Sequence, residues 1–377
     1  MKNDDREQVT QICATEDKKE EEVFLRTLWR ECFCDSVPYE DFYFHNIYRK
    51  NIVYCVRDKG MLHLNPYLCK IDGREQLLYY IVGVATRNSE RRKGIMRMLL
   101  NQALKDLYES NMPFTYLMPA NVKYYESFDF VSIFQRKEEI LKRESSQIAV
   151  ETDEWKQEEK NPVNLKKIQF IDYDTLLKKH PDPDWLFQKM DRILTGQYDL
   201  YAKHDKAYFD LLLNEKSCQD GNVIFCFEEE IKEEYFRGFF AYSREKDILV
   251  VEQYVMKQIS IEDCMRLFTK EPVTIVHQFP YMIRVVQVET FLKMFARLFR
   301  QYANKRIWIT DGILPGNNGI YTLSFLKEEQ VRVTRQKVTE QMDESMWDEK
   351  MTVEDLGNVI FTEQSDIREK VFFAEVV

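Results

Sequence analysis

The sequence predicts an α+β protein made of α/β layers, and three observations predict it. Strand-patterned segments closed by tight turns alternate with amphipathic helices along the chain. A strand-turn-strand plan seen in the first part of the chain returns in the middle part. The length, 377 residues, exceeds what one ordinary hydrophobic core serves, so two or three domains are expected.

In chain order, Glu21 to Phe33 places Val23, Leu25, Leu28, Trp29 and Cys32 at helical spacing. The aromatic run "YEDFYFHNIY", Tyr39 to Tyr48, predicts a second short helix. "NIVYCVR", the turn Asp58-Lys59-Gly60 and "MLHLNPYLCKI" predict a hairpin, and Asp72-Gly73 turns the chain into a third strand, "EQLLYYIVGVAT". The loop Arg91 to Gly94 leads into a helix that ends near Asn111. A strand "PFTYLM", a short segment "NVKYYESF" and a strand from Phe130 follow. Arg136 to Asn161 is charge-rich and is expected to be a linker. The second unit has helices around "DTLLKKH" and "DKAYFDLLL" and strands "NVIFCFEEE", "EYFRGFFAYSR" and "DILVVEQYVM". The third begins near Phe279-Pro280 and holds "RIWITDGIL", "GIYTLSFLKEEQVRVTRQK", a helix at "TVEDLGNVI" and the tail "REKVFFAEVV". The expected domains are 1–148, 149–278 and 279–377.

Composition narrows the function classes. Hydrophobic residues make up 44% and charged residues 31%, which describes a globular chain and not a disordered one. Apolar runs stop short of membrane-spanning length, and "MKNDDREQVT" lacks a signal-peptide core, so a cytoplasmic protein without membrane contact is expected. The net charge of −10 argues against nucleic acid and is compatible with a cationic partner. Cys32 and Cys34 form a CxC, no CxxC occurs, and the five histidines are scattered. Reduced thiols and no metal site are therefore expected.

One loop stands out in so acidic a chain. Arg91, Arg92, Lys93 and Gly94 sit between a strand and the first turn of a helix. Free main-chain N–H groups at a helix start attract anions, and arginines add charge-assisted hydrogen bonds to phosphate oxygens. The spacing fits neither the NTPase phosphate loop nor the dinucleotide glycine fingerprint. A pyrophosphate held by main chain and arginine points to coenzyme A, and a solvated basic turn is the competing reading. Leu99, Leu100, Ala103, Leu104 and Leu107 share one face of the helix, which would pack it firmly and fix its N-terminal amides.

"GVATRNSERRKGIMRMLL" resembles motif A of the GNAT N-acetyltransferases, Arg/Gln-x-x-Gly-x-Gly/Ala, with Met96 where Gly or Ala is usual. Read more widely, the chain resembles the Eis-type (enhanced intracellular survival) acetyltransferases. The fragments that carry this are "LWRECFCDSVPYEDFYFHNIY", "MLHLNPYL", "YIVGVAT", "LMPANVKYYESFDF", "GFFAYSREKDILVVEQYV", "PYMIRVVQVETFL" and "VFFAEVV", in that order. The resemblance implies two fused GNAT-like domains followed by a sterol-carrier-protein-like α+β domain. It also implies a homo-oligomer, a hexamer among the forms it would take. In the second unit "DILVVEQYVMK" runs into "QISIEDCMRLF" without glycine or an arginine pair, so only the first is expected to bind coenzyme A.

The resemblance assigns roles residue by residue. Val84, Ala85 and Thr86 would grip the acetyl carbonyl and pantetheine arm. Arg91, Arg92, Lys93, Gly94, Ile95, Met96 and Arg97 would hold the pyrophosphate, and Ala120 and Asn121 also fall on the cofactor side. Tyr125, in a Tyr-x-x-Phe-Gly-Phe/Tyr pattern with Asp129 in place of Gly, would protonate the leaving thiolate, as a phenol with an ordinary pKa near ~10 can. Packing of Tyr124 and Tyr125 is the plain alternative. The C-terminal carboxylate of Val377 would act as base, and Asp35 would attract the substrate's ammonium group or, alternatively, cap the next helix. Tyr39, Phe42, Tyr43 and Phe44 are either pocket lining or core. The expected function is acetyl-CoA-dependent N-acetylation of a small cationic amine, polyamine-like or aminoglycoside-like, or of lysine in a peptide. The alternatives are a non-catalytic coenzyme A binder and an apolar-ligand carrier acting through the third domain.

Overall fold

The computed structural model describes residues 8–13, 19–142, 163–326, 331–337, 343–361 and 371–372. The first part of the chain runs β1 (Val9–Cys13), α1 (Lys19–Cys32), α2 (Val37–Phe42), β2 (Ile52–Val56), β3 (Gly60–Ile71), β4 (Arg74–Thr86), α3 (Ile95–Glu109), β5 (Phe114–Leu117), α4 (Lys123–Glu126) and β6 (Val131–Ser132). α2 continues into a π turn at Tyr43–Ile47 and a 3-10 turn at Tyr48–Lys50, so the expected aromatic helix is three short pieces. The antiparallel meander is as its turns require: Asp58, Asp72 and Gly73 all adopt positive φ. α3 buries Ile95, Leu99, Leu100, Ala103, Leu104 and Leu107. It stops at Asn111, whose φ of 57° cannot continue a right-handed helix.

The second part runs β7 (Lys137–Leu141), β8 (Ile168–Asp172), α5 (Tyr173–Lys179), α6 (Asp184–Gln197), β9 (Leu200–Ala202), α7 (Lys206–Ser217), β10 (Asn222–Glu228), β11 (Phe236–Glu245), β12 (Ile248–Met256), α8 (Ile261–Phe268) and β13 (Val273–Gln278). Its sheet has the order β7-β13-β12-β11-β10-β8. Strand alternation divides its apolar residues between two faces. Val223, Phe225 and Phe227 of β10 join the core under α5, α6 and α7, while Ile224 and Cys226 join the core under α8. A sheet covered on both faces explains why "VIFCF" reads as a continuous apolar run.

The third part runs β14 (Met282–Val285), α9 (Val288–Met294), β15 (Arg306–Thr310), β16 (Gly319–Phe325), β17 (Val331–Gln336), β18 (Glu349–Thr352), α10 (Val353–Phe361) and β19 (Val371–Phe372). A four-stranded sheet, β17-β16-β15-β18, forms here, with β15 and β18 parallel.

Sheet membership crosses the sequence boundaries. β14 lies between β5 and β6 in the first sheet, although it follows the second unit in sequence. β7 lies before residue 148, yet it pairs with β13 in the second sheet. The expected linker from Arg136 therefore begins as a strand, and residues 143–162 lie outside the described part. β9 comes from the second unit and pairs with Cys69 to Ile71 of β3, and β19 pairs parallel to β9. Short β1, β8 and β9 and the whole of α6 were not among the expected elements. Brief edge strands and a helix bounded by Pro183 without a side-chain cap leave little periodic signal.

The exchanged β14 is held by a buried charge. Arg284 is fully buried; its Nη2 donates to Asp311 Oδ1 at 2.8 Å, its Nε to the Phe128 carbonyl at 2.8 Å and its Nη1 to the Val285 carbonyl at 2.6 Å. Asp311 also accepts from the Ile313 and Leu314 amides and from Asn317 Nδ2. A buried pair so completely hydrogen-bonded resists loss of either member. Arg284→Met should lower the unfolding free energy by about 3–5 kcal/mol, because Asp311 is left as an uncompensated buried charge. The double change Arg284→Met, Asp311→Asn should recover part of that loss in urea titrations, and equal losses would refute the pairing argument.

Candidate active site

The site forms where two parallel strands part. β4 and β5 are paired at Tyr80 with Tyr116 and Ile81 with Leu117, after which, among the described residues, β4 continues without a partner on that side to Thr86. Against β3 the register of β4 shifts between Met61/Ala85 and His63/Val82, which makes a bulge at Gly83 and Val84. Gly83 has φ +60°, and a Cβ there would come within 3.0 Å of the Trp29 ring. Any other residue would therefore be strained and crowded at once. The bulge interrupts the ladder at Gly83 and Val84, and pairing with β3 resumes at Ala85 and Thr86. Gly83 was missed by the sequence reading, although an isolated glycine inside a strand pattern is a signal for a bulge.

The cation loop follows directly. Asn88–Glu90 forms a 3-10 turn, anchored by the Asn88 amide donating to Glu31 Oε1 at 2.8 Å. Arg92 takes φ 64°, and Gly94, at φ 88°, begins α3 with no side-chain cap and no acid in the first turn. Among the described residues, the first amides of α3 thus have neither a side-chain cap nor an acid in the first turn to compete for them. Arg91, Arg92 and Lys93 are exposed; Arg91 Nε donates to the Thr86 carbonyl at 3.3 Å and Lys93 pairs with Glu90 at 3.1 Å. Among the described residues Arg92 makes no ion pair. Met96 is half-buried and packs against the core, so its side chain is absorbed there.

α8, the matching helix of the second sheet, starts differently. Its first turn contains Glu262 and Asp263, and the Asp263 amide donates to the capping Ser260 hydroxyl. That helix start is already neutralised from within.

Tyr125 lies on α4 beyond the end of β5. Tyr124 is exposed, whereas Tyr125 is buried with its ring edge against Phe130. Burial pushes its phenol up to about 12, above the ordinary value expected from the sequence, so it stays protonated at neutral pH. The Phe128 carbonyl is held by Arg284, and the Arg97 guanidinium lies 5.0 Å over the Phe128 ring. This links the first turn of α3 to the tyrosine segment and places Arg97 on the ring face. Asp129 adopts φ 59°, the conformation that a glycine would otherwise supply. The Asn121 side chain accepts from the Lys123 amide and starts α4, while Ala120 is exposed.

Asp35, in the turn after α1, accepts from Trp29 Nε1 at 2.9 Å. Withdrawal of its carboxylate from water raises its pKa, the Trp29 hydrogen bond lowers it, and the Glu40 charge raises it further; the net direction is up. The cap of α2 is Ser36, not Asp35, which removes the capping alternative. Glu40 is buried and bound by Arg26 and Arg30. Tyr39, Phe42, Tyr43 and Phe44 are all buried, with Tyr43 stacked on Trp29 at 4.4 Å. They belong to the core that holds Trp29 under the bulge. Tyr39 is raised well above its ordinary value, first by burial and then by the charges of Glu215 and Asp35. Glu215 is on α7 of the second unit, so acids from two parts of the chain flank this tyrosine. Only the tertiary arrangement brings them together. Val377 lies outside the described residues; β19 does bring Val371 and Phe372 to the edge of the first sheet through β9.

Residues 14–133 match the family model described as acetyltransferase (GNAT) domain. No curated protein sequence matches the chain. Among solved structures, a GCN5-related N-acetyltransferase from Anabaena variabilis is similar at TM-score 0.66 and 14% identity, covering 98% of this chain and 98% of that one. A probable N-acyltransferase from Enterococcus faecalis is similar at TM-score 0.65 and 15% identity, covering 94% and 89%. Eis1 from Mycobacterium abscessus is similar at TM-score 0.58 and 14% identity, covering 94% and 89%. The fold is thus a GNAT-like α+β fold with mixed sheets, and these similarities extend over nearly the whole chain.

His63, beside the bulge, is fully buried, and its Nδ1 lies 2.8 Å from the Tyr43 hydroxyl. Burial pushes it down to about 3, and His204 is likewise pushed down to about 4. Both are neutral in the folded chain and bind a proton more readily when unfolded. Stability is therefore lost as pH falls below the unfolded value, near ~6.5, toward the folded values. Acidifying from pH 7 to 5 should lower the unfolding free energy by about 2 kcal/mol per histidine, since one pKa unit is worth about 1.4 kcal/mol. Urea midpoints should show this, and His63→Asn should remove about half of the pH dependence. An unchanged slope would refute the assignment.

Proposed function

We propose that the chain is an acetyl-CoA-dependent N-acetyltransferase of the Eis type that acts on a small cationic amine or a lysine side chain. One observation carries this reading: the parted ends of β4 and β5, with the Gly83 bulge on β4 just past their last pair, lead into the uncapped, Gly94-started helix α3. Acetyl-CoA would supply an acetyl group already activated as a thioester. The main-chain N–H groups of Val84 to Thr86 would polarise its carbonyl, and the amides of Ile95 to Arg97 with Arg92 would hold the pyrophosphate. A buried, protonated Tyr125 would give its proton to the departing thiolate. Asp35 would attract the ammonium form of the acceptor, and the Val377 carboxylate would take up the amine proton. No enzyme nucleophile is required, because the neutral amine attacks directly. The sterol-carrier-like character of the third sheet, the homo-oligomer and a cytoplasmic location belong to the same proposal. No described helix is long and apolar enough to cross a membrane.

A turnover screen with acetyl-CoA against polyamines, aminoglycosides and lysine peptides tests the activity. Tyr125→Phe should lower kcat by about 10²–10⁴-fold while coenzyme A affinity is retained. Deleting Val376 and Val377 should have the same character. Retained turnover in both variants would refute the proton-transfer roles, and full coenzyme A affinity with no turnover of any amine would favour the non-catalytic binder. Arg92→Ala should weaken coenzyme A binding about 10-fold in calorimetric titration, through loss of a charge-assisted contact. Unaltered affinity would remove the loop from the site.

A further inference from the structure

The second sheet contains an opening of the same kind as the first, and it is filled differently. β12 and β13 are parallel and paired only from Leu249/Val273 to Val251/Ile275. Beyond that point Tyr254 on β12 and His277 on β13 meet across the gap, with the tyrosine hydroxyl 2.8 Å from His277 Nδ1. His277 sits in a register shift between Val276 and Gln278, so it is the extra residue of a bulge against β7. Its other nitrogen, Nε2, lies 3.5 Å from Glu139 Oε2 on β7 and 3.9 Å from Glu262 Oε1 on α8. The three donor atoms are all within 4.8 Å of one another.

Two carboxylates and an imidazole nitrogen converge here, and no Lys or Arg among the described residues pairs with either glutamate. With the Nδ1 proton donated to the Tyr254 hydroxyl oxygen, Nε2 offers a lone pair to the same point as the two carboxylates. Three acceptors facing one another repel unless a metal cation or a proton lies between them. Metal–ligand bonds of about 2.0–2.2 Å set donors about 3–3.5 Å apart, so a short swing of the half-exposed Glu139 completes the geometry. One imidazole and two carboxylates suit Mn²⁺, Fe²⁺ or Zn²⁺ and leave positions for water.

We propose that Glu139, Glu262 and His277 form a divalent-cation site in the cleft of the second sheet, fastening the exchanged strand β7 to β13 and α8. The three ligands come from three elements, one of which enters from the first part of the chain. A cation here locks the strand exchange. This site departs from the expectation, drawn from the scattered histidines, of no metal site. It does not depend on the acetyltransferase reading.

Mn²⁺ is the suitable probe, because the eight cysteines compete for zinc but not for a hard cation. Full-length protein, stripped with EDTA and dialysed, is titrated with Mn²⁺ while the free-ion EPR signal is followed. The wild type should take up one Mn²⁺ per chain and gain thermal midpoint with it. Glu262→Gln, which keeps side-chain shape, and His277→Ala should both lose that ion and that gain, with circular dichroism confirming the fold. No uptake by the wild type, or equal uptake by either variant, overturns the proposal. A doubly protonated His277 ring at neutral pH, seen by ¹⁵N NMR with Mn²⁺ present, also overturns it, because the cluster is then held by a proton.

Discussion

The structure depends on a buried arginine. Arg284 enters the first sheet on β14, from a part of the chain far from β5 and β6, and brings a charge into a core. That charge is tolerable only because Asp311 and two carbonyls surround it. One of those carbonyls belongs to Phe128, in the turn that follows Tyr125. The same ion pair therefore closes the first sheet, joins it to the loop after β15 and fixes the segment that carries the candidate acid. Asp129 extends this arrangement, since its left-handed turn is paired loosely with Arg284 at 3.6 Å.

Strand exchange makes the two layered units inseparable. Each of the first two sheets has a parallel pair that parts at one end, and each completes itself with a strand from outside its own segment. In the first, the opening faces a glycine-started helix with bare amides; in the second, the helix is self-capped and the opening holds a His–Glu–Glu cluster. The layer is repeated, and the chemistry at its cleft is not. The difference lies in a few residues at one helix start: a glycine with no acid after it in the first unit, a capping serine followed by Glu262 and Asp263 in the second.

Much of this was legible in the sequence. The helix of Leu99, Leu100, Ala103, Leu104 and Leu107 and the paired strands around Asp58-Lys59-Gly60 and Asp72-Gly73 follow from period and turn chemistry, because their side chains meet the core at regular intervals. The cation loop was legible for the same local reason. Gly83 carried a signal that went unused. β7 was hidden because an exposed edge strand that is mostly charged, "KEEIL", has the composition of a linker. β14 was visible as apolar sequence, but nothing local says which sheet an apolar strand will join.

By itself, the sequence determined the layered α+β class, the repeat, and the Arg91-Arg92-Lys93-Gly94 loop in one unit and its absence from the other, since each is written within a few neighbouring residues. Only the tertiary structure decided what depends on residues far apart: the exchange of β7 and β14, the meeting of Asp35 with Glu215 around Tyr39, the raised pKa of Tyr125 and the grouping of Glu139, Glu262 and His277. The physical reason is common to all four. Burial and charge–charge distance are properties of packing, and a chain that returns strands to distant sheets sets them non-locally.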